Sequence, residues 1–141
     1  MQSLKKYALF VLLAVFVASF GVASVHAQSA ALTANVPFDF VAGKTNMTAG
    51  SYWVKTDGAF VAFSKVGGTT TYALLSQAGD AAKRDGQPYL VFTRYGTESF
   101  LNKIVFSSDQ SYDLPRSNRE KEIMAHVPTG EQVAVLFESA R

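Results

Sequence analysis

The chain has 141 residues, no cysteine and a formal net charge of +2 at pH 7. This length favours a single domain, and the lack of cysteine excludes disulfides, thiolate metal sites and cysteine nucleophiles. The near balance of 13 basic and 11 acidic residues gives no electrostatic footprint for nucleic acid.

Residues 1–27 have the pattern of a secretory signal peptide. Lys5-Lys6 forms a basic start, residues 7–22 are almost purely apolar, and Val25-His26-Ala27 offers small residues for cleavage after Ala27. The alternative is an uncleaved anchor, because the apolar run is just long enough to cross a bilayer. We expect cleavage, no stable membrane insertion afterwards, and an exported product in the periplasm, at the cell surface or outside the cell. Residues 28–141 are then predicted to form a single β-rich domain.

The first predicted strand covers residues 32–40, where apolar and polar side chains alternate. Pro37 has no N–H for a sheet ladder, so this strand should lie at an edge or carry a bulge there. Residues 41–49 are interpreted as a connection. Gly50 is the expected positive-φ residue before the next strand.

A hairpin is predicted next, because apolar runs at 52–56 and 59–64 flank Asp57-Gly58. Asp-Gly is the pair preferred in a type I′ turn. Residues 70–77 predict a fourth strand, and residues 78–87 have the composition of a loop.

The strongest long hairpin pattern spans residues 89–106, where two apolar and β-branched runs flank a turn that contains Gly96. One face of its first strand carries Leu90, Phe92 and Arg94, and the other carries Tyr89, Val91, Thr93 and Tyr95. Both faces are largely apolar, so we expect this hairpin near the centre of its sheet.

A helix is predicted over residues 117–126, because Ser117 and Glu120 have the Ser-x-x-Glu spacing of a capping box. Residues 131–138 alternate again and predict a last strand. The chain is therefore expected to be all-β, with about seven mostly antiparallel strands in a small barrel or sandwich. We favour a barrel in which the last strand closes towards the first, because that arrangement hides strand edges.

Three ordered patterns span most of residues 28–141. They are V-P-F-D-F at 36–40 with A-G-S-Y at 49–52, F-T-R-Y-G at 92–96 with F-L at 100–101, and L-P-R-S at 114–117 followed by Glu120 and Glu122. The set resembles a family of small exported bacterial proteins of unknown function. The family's usual L-P-A-G-x-Y appears here as M-T-A-G-S-Y, and Thr93 stands where the family has histidine. The resemblance implies export and a compact β-domain, and it implies no mechanism.

Catalytic and metal chemistry find little support in these residues. Cleavage leaves His126 as the only histidine, and no Gly-x-Ser-x-Gly is present. The carboxylates suggest no glycosidase pair, since helix capping accounts for Glu120 and the others suit a solvated surface. Scattered carboxylates with one histidine offer no metal-ligand cluster. We therefore predict no catalytic residue, no metal ligand and no cofactor.

Arg94 is the most unusual residue, because its charge shares a strand face with apolar side chains. We expect it to pair with a carboxylate such as Asp39 or Glu120 and so tie helix to sheet, or else to face a ligand. The candidate binding residues are Arg94, Tyr95, Trp53 and Tyr112. The three aromatic residues suit a pocket mouth or a contact surface, and core filling is the simpler interpretation. The candidate structural residues are Gly50, Asp57, Gly58, Gly96, Ser117 and Glu120.

The sequence thus predicts an exported, non-catalytic binding or interaction protein, whose partner is an unknown protein or a small apolar ligand. The alternative is a small-molecule carrier with an apolar ligand inside the barrel, and a hydrolase is the third choice. A carrier needs an internal cavity of roughly 300 Å³ or more. An interaction module needs an exposed apolar patch or an unpaired strand edge. An enzyme needs converging polar groups with shifted pKa values.

Overall fold

The computed structural model describes residues 31–80 and 86–138, and the predicted leader at 1–27 lies outside them. The chain is mostly β, with one short helix before the final strand, which confirms the predicted fold class. The strands are β1 Leu32–Val36, β2 Phe40–Ala42, β3 Thr45–Met47, β4 Gly50–Asp57, β5 Phe60–Lys65, β6 Thr71–Leu75, β7 Gln77–Ala78, β8 Tyr89–Tyr95, β9 Glu98–Val105, β10 Ser111–Asp113 and β11 Glu131–Glu138. The helix α1 is Asn118–His126.

The strands form one curled sheet with the shape of a half-barrel. Its hydrogen-bonded order is β3-β2-β9-β8-β11-β1-β4-β5-β6. The last strand pairs antiparallel with the first, with Ala34 opposite Phe137, as predicted. This pair lies in the middle of the sheet and does not close it, so the predicted full barrel is corrected to a half-barrel with β3 and β6 at its ends. Strand β10 pairs with both β7 and β9, and only Ser76 separates β6 from β7. The chain thus continues from β6 into β7, and β7 is linked to β9 by hydrogen-bonded pairing through β10.

The strand count exceeds the prediction, because four short strands lie where a loop or a continuous strand was expected. The strand predicted over 32–40 is broken at 37–39: β1 pairs with β4 and β11, whereas β2 pairs with β3 and, in parallel, with β9. Pro37 cannot donate to a ladder, and the Asp39 carboxylate accepts the N–H of Ala49 at 2.8 Å. These features turn the chain out of β1, so the predicted edge position or bulge at Pro37 is corrected to a break.

The other three extra strands are also short. Strand β3 lies in the predicted connection at 41–49, and β7 joins the last residue of the predicted fourth strand to the first residue of the predicted loop. Strand β10 lies in the polar stretch at 107–113, where no strand was predicted. Each has only two or three residues, too few to show a period in sequence.

Three hairpins use a two-residue loop that begins with glycine. The loops are Gly43-Lys44, Gly58-Ala59 and Gly96-Thr97, and the φ angles of their glycines are 60°, 61° and 61°. Asp57 pairs with Phe60 inside the ladder, so the predicted Asp57-Gly58 turn is wrong by one residue. Ala59 has no positive φ. A type I′ turn needs positive φ at both loop positions, so this geometry is that of type II′.

Gly50 has the positive φ that was predicted for it, at 150°. A side chain at position 50 would also be crowded, because its Cβ would lie 3.0 Å from Cε of Lys65. Gly50 therefore begins β4 where both the backbone and the neighbouring lysine require glycine.

Aromatic rings fill the inner surface of the curled sheet. Phe40 meets Tyr52 and Phe92 edge-on, with ring centroids 5.7 and 5.2 Å apart, and Tyr52 meets Phe63 at 6.3 Å. None of these four side chains is more than 3% exposed. Edge-to-face pairs contribute about 1 kcal/mol each beyond their buried area. The core is therefore built from β2, β4, β5 and β8 meeting across the sheet.

Helix α1 begins as predicted and lies on the outer face of the β8–β9 hairpin. The Ser117 hydroxyl accepts the N–H of Glu120 at 3.1 Å, which confirms the helix cap. The Glu120 carboxylate is buried and accepts a hydrogen bond from the Asn102 amide at 2.9 Å. Thr93 in turn donates its hydroxyl to Asn102, and Thr93 lies opposite the core face of β8. None of the residues in 31–80 and 86–138 forms a helix long and apolar enough to cross a bilayer.

Candidate functional site

Arg94 lies on the inner face of β8, as strand alternation predicts. Its guanidinium carbon is 4.8 Å from the ring centroid of Phe38, and its Nε donates to the Ser99 hydroxyl at 3.3 Å. The predicted ion pair with Asp39 or Glu120 is wrong, since no salt bridge of Arg94 occurs among the residues that the structure describes. The physical reason is that α1 covers the outer face of the hairpin, whereas Arg94 follows the core residues inward. A cation–π contact takes the place of the ion pair.

Two of the predicted binding residues serve the packing of the fold. Tyr95 is buried and packs edge-on against Phe100 at 6.0 Å. Tyr112 packs against Phe106 at 5.8 Å, and its phenol oxygen accepts a hydrogen bond from the Gln110 side chain at 3.0 Å. Neither side chain lines one of the surface clefts described below, which fits the simpler interpretation as core.

Trp53 differs from these two, because 51% of its surface is exposed. It lies on the outer face of β4, and two strands, β1 and β11, separate β4 from β8. The structure therefore does not bring Trp53, Tyr95, Tyr112 and Arg94 together into one site.

Apolar residues form a diagonal strip across the outer face of β4, β5 and β6, beside the exposed charged residues Lys55 and Asp57 of β4. Phe60 lies opposite Leu75, and Ala62 lies opposite Ala73. Phe60 is 47% exposed and Leu75 is 56% exposed. Trp53 is opposite Ser64 in the register, which makes it a diagonal neighbour of Ala62. We call these five apolar residues the outer patch. Ala62, which joins Trp53 to the other members, is only 9% exposed. Exposed apolar surface shared by neighbouring residues marks interaction sites, whereas single exposed apolar residues do not.

Strands β3 and β6 are the two ends of the main sheet path, and each pairs with one neighbour there. They face each other across a gap that we call the seam. The Cα atoms of the two strands are mostly more than 8 Å apart, whereas paired strands are about 4.8 Å apart. A cleft of about 190 Å³ occupies the seam. Its walls include Met47 and Thr48 on the β3 side and Thr70 and Tyr72 on the β6 side.

Both ends of the seam are held by side-chain contacts. At one end the Lys65 ammonium donates to the Thr48 hydroxyl at 2.7 Å and to the Ala49 carbonyl at 3.3 Å. At the other end, a Cβ on Gly43 would lie 3.9 Å from Leu74. These two approaches mark the ends of the seam.

The β6 edge is chemically unusual. It belongs to residues 66–79, a stretch of 14 residues with no charged side chain and no proline. Proteins generally protect free edges with lysine, proline, bulges or a covering element. The β6 edge has neither lysine nor proline, and within 31–80 and 86–138 the element opposite it is β3.

A second, more polar groove runs over the outer face of the β2–β3 hairpin beside the start of α1. Two adjoining clefts, of about 550 and 330 Å³, share Val41, Asn46 and Glu98 in their linings. The Arg119 guanidinium donates to the Glu98 carboxylate at 2.7 and 3.2 Å. This hydrogen bonding lowers the pKa of Glu98 and raises the pKa of Arg119. The pair keeps both groups charged and engaged with each other.

One further described residue has a shifted pKa, and it lines neither the seam nor the polar groove. Asp109 has a lowered pKa, because the Ser107 hydroxyl and its own backbone N–H donate to its carboxylate. Within 31–80 and 86–138, no three His, Asp or Glu side chains are grouped so that they could hold a metal ion.

The sequence predictions missed the seam and the outer patch as units. The uncharged stretch at 66–79 was visible as a property of the sequence, and it was the one pattern from which an exposed pairing edge could have been proposed. Comparisons of the chain with models of protein families, with curated proteins and with solved structures found no match.

Proposed function

We propose that this chain is an exported, non-catalytic interaction protein that binds a polypeptide partner on the side of the half-barrel formed by β4, β5 and β6. The observation that carries the proposal is the outer patch, in which Trp53, Phe60 and Leu75 are each about half exposed. The patch borders β6, the uncharged end strand of the sheet. Exposed apolar surface beside a free strand edge is what an interaction module needs.

The interior favours this proposal over the carrier. Edge-to-face aromatic rings from β2, β4, β5 and β8 meet in the core, and the rings are almost fully buried. A carrier needs enclosed space in that place. The clefts described above are lined by surface loops and strand edges instead.

The polar groups also favour a binding role over a hydrolase. Glu98 is engaged by Arg119, Glu120 by Asn102, and the Ser117 hydroxyl by the cap of α1. A hydrolase needs a nucleophile next to a base that is free to take its proton. Export is part of the proposal because residues 1–27 have a basic start, an apolar run and a small-residue exit.

A photo-crosslinking experiment in the cells that make the protein tests the proposal. Benzoylphenylalanine is placed at Phe60 in the outer patch, and the matched control carries it at Lys121, an exposed position on α1. We expect a discrete higher-mass adduct from position 60 and none from position 121. A second change, Leu75→Asp, should abolish the adduct because it puts a charge into the patch. Adducts of equal yield from both positions, or no adduct from position 60, would count against the proposal.

The same material tests export. Mass spectrometry of the protein recovered outside the cytoplasm should give an N-terminus at Gln28, as cleavage after Ala27 predicts. A product that stays in the cytoplasm with residues 1–27 intact would refute the exported part of the proposal.

A further inference from the structure

We propose that the seam between β3 and β6 accepts one extended, uncharged strand from a partner polypeptide, which hydrogen-bonds to the β6 edge and fills the gap in the half-barrel. The inference rests on the interaction function proposed above, and it names the mode of binding and the chemistry of the partner. Strand addition to an exposed sheet edge is a general way in which proteins bind extended peptides.

The backbone of β6 presents a regular row of free groups to the seam. The N–H of Ser76 donates to the carbonyl of Ala59 at 3.0 Å, which continues the register of β5 and β6. Antiparallel residues alternate between bonding to the partner strand and pointing away from it. Tyr72 and Leu74, like Ser76, therefore bond to β5. The residues whose N–H and C=O groups point into the seam are Thr71, Ala73 and Leu75.

Strand β3 presents a matching group from the opposite side. In a two-residue hairpin the residues that close the loop bond to each other, and here they are Ala42 and Thr45. The next pair, Val41 and Asn46, does not exchange hydrogen bonds within the hairpin. The backbone N–H and C=O of Asn46 are thus directed away from β2, towards the seam. A strand between β3 and β6 would have acceptors and donors on both of its edges.

The seam is wider than the spacing of paired strands, and β6 sets its length. A strand inserted between two others needs them about 9.6 Å apart, twice the ordinary spacing. The Cα atoms of β3 and β6 are mostly more than 8 Å apart, which is wider than paired strands. The contacts at Lys65 and at Gly43 mark the two ends. Strand β6 has five residues, so the bound segment is expected to have about five residues in register, or about 17 Å.

The surroundings specify an uncharged segment. Residues 66–79 carry no charge, and the one charged group in the lining of the cleft, the Lys65 ammonium, already donates to Thr48 and Ala49. A charged side chain in the bound strand would therefore lose hydration without a free partner in this lining. Its inward side chains would meet Met47 and Tyr72 in a cleft of about 190 Å³, which favours small apolar residues. Its outward side chains would lie beside Ala73 and Leu75 of the outer patch, which favours larger apolar residues.

A second copy of this chain fits the seam less well than a flexible segment does. Two-fold pairing of β6 with β6 of another copy requires an edge that a folded domain can approach, and β3 lies across the gap from this edge. An extended segment needs only the width of one strand. We therefore assign the seam to an extended part of another polypeptide.

A residue change that removes one backbone N–H tests the inference in the exported protein. Ala73→Pro removes the N–H that points into the seam but leaves the ladder to β5 intact, and edge strands tolerate proline at such positions. Ala73→Ser is the matched control, because it changes the side chain and keeps the N–H. We expect the adduct at position 60 to fall at least tenfold with Ala73→Pro and to persist with Ala73→Ser. The melting temperatures of both variants should stay within a few degrees of the parent.

A defined peptide provides a second measurement that needs no variant. The probe is acetyl-Ser-Val-Ala-Val-Thr-Val-Ser-amide at millimolar concentration, and its control is the same peptide methylated at alternate backbone nitrogens. Amide hydrogen exchange of the protein should slow at least tenfold at Thr71, Ala73 and Leu75 with the probe only.

The outcomes distinguish the seam proposal from the interaction function on which it rests. An adduct at position 60 that persists in Ala73→Pro, or no exchange protection with the probe, overturns the seam as a docking site while the interaction function stands. Loss of the adduct from every variant and the parent overturns the interaction function itself. Protection of the same amides without peptide, increasing with protein concentration, assigns the seam to a second copy and overturns the partner proposed here.

Discussion

Replacement of Glu120 by alanine should destabilise the fold more than any other change on the surface of α1. Glu120 is 2% exposed and accepts a hydrogen bond from the Asn102 amide at 2.9 Å. Its role in the helix cap is through its backbone N–H, which alanine retains. The substitution therefore removes only the contacts of the carboxylate, which are the hydrogen bond from Asn102 on β9 and a 4.0 Å ion pair with the exposed Arg116.

The expected cost follows from the groups left behind. A hydrogen bond to a charged acceptor contributes about 2 kcal/mol, and a buried donor left without a partner costs about 1 kcal/mol or more. Asn102 is only partly buried, so water can reach its amide in Glu120→Ala and the penalty for the lost acceptor is small. We expect a loss of about 2 kcal/mol in the free energy of unfolding, or about 8 °C in melting temperature for a domain of this size.

Urea unfolding monitored by the fluorescence of Trp53 measures this loss, since Trp53 is the only tryptophan. Glu122→Ala is the matched control, because Glu122 is exposed and its only recorded ion pair among the described residues is 3.9 Å long. The control should stay within about 0.5 kcal/mol of the parent. A double-mutant cycle with Asn102→Ala should give a coupling of about 1 kcal/mol or more. A Glu120→Ala variant as stable as Glu122→Ala, or a coupling near zero, would refute this account of α1.

Three further predictions follow from individual contacts. Arg94→Met should lower the free energy of unfolding by only about 1 kcal/mol in urea titrations, because the guanidinium rests on the Phe38 ring without an ion-pair partner among the described residues; a loss above 3 kcal/mol would indicate a missed buried pair. Gly50→Ala should cost about 2 kcal/mol because its φ is 150°, and an unchanged melting temperature would show that the turn relaxes freely. The lowered pKa of Glu98, caused first by the hydrogen bond from Arg119, means that the pair stabilises the fold above the unfolded pKa of a glutamate and that this stability is lost as pH falls through the folded value. The melting temperatures of the parent and Glu98→Gln should therefore differ at pH 7 and converge in acid, and a difference that is constant from pH 7 to pH 2 would contradict the linkage.

Local patterns predicted the elements whose contacts are close in sequence. The start of α1 was predictable because the Ser117 hydroxyl reaches an N–H only three residues away. The faces of β8 were predictable because alternation is a property of the strand itself, so Phe92 is buried and Arg94 follows it inward. The central position of the β8–β9 hairpin followed from two apolar faces, and the sheet order confirms it.

Patterns failed where pairing, and not composition, makes a strand. Strands β2, β3, β7 and β10 have two or three residues each, and they exist because a neighbouring edge supplies hydrogen bonds. The predicted ion pair of Arg94 was wrong for a related reason. Its face was predictable, but the side of the sheet on which α1 lies is decided by contacts of Glu120 with Asn102, 18 residues away in the chain.

The sequence alone determined the fold class, the position of the helix, the glycine that begins β4 and the uncharged character of residues 66–79. Only the tertiary structure decided that this stretch ends the sheet and faces β3 across a gap. Strands β3 and β6 lie more than 20 residues apart, and they face each other because the whole sheet curls. Curling is a sum of many small strand twists, and no local pattern records it. The candidate site is therefore a property of the assembled sheet.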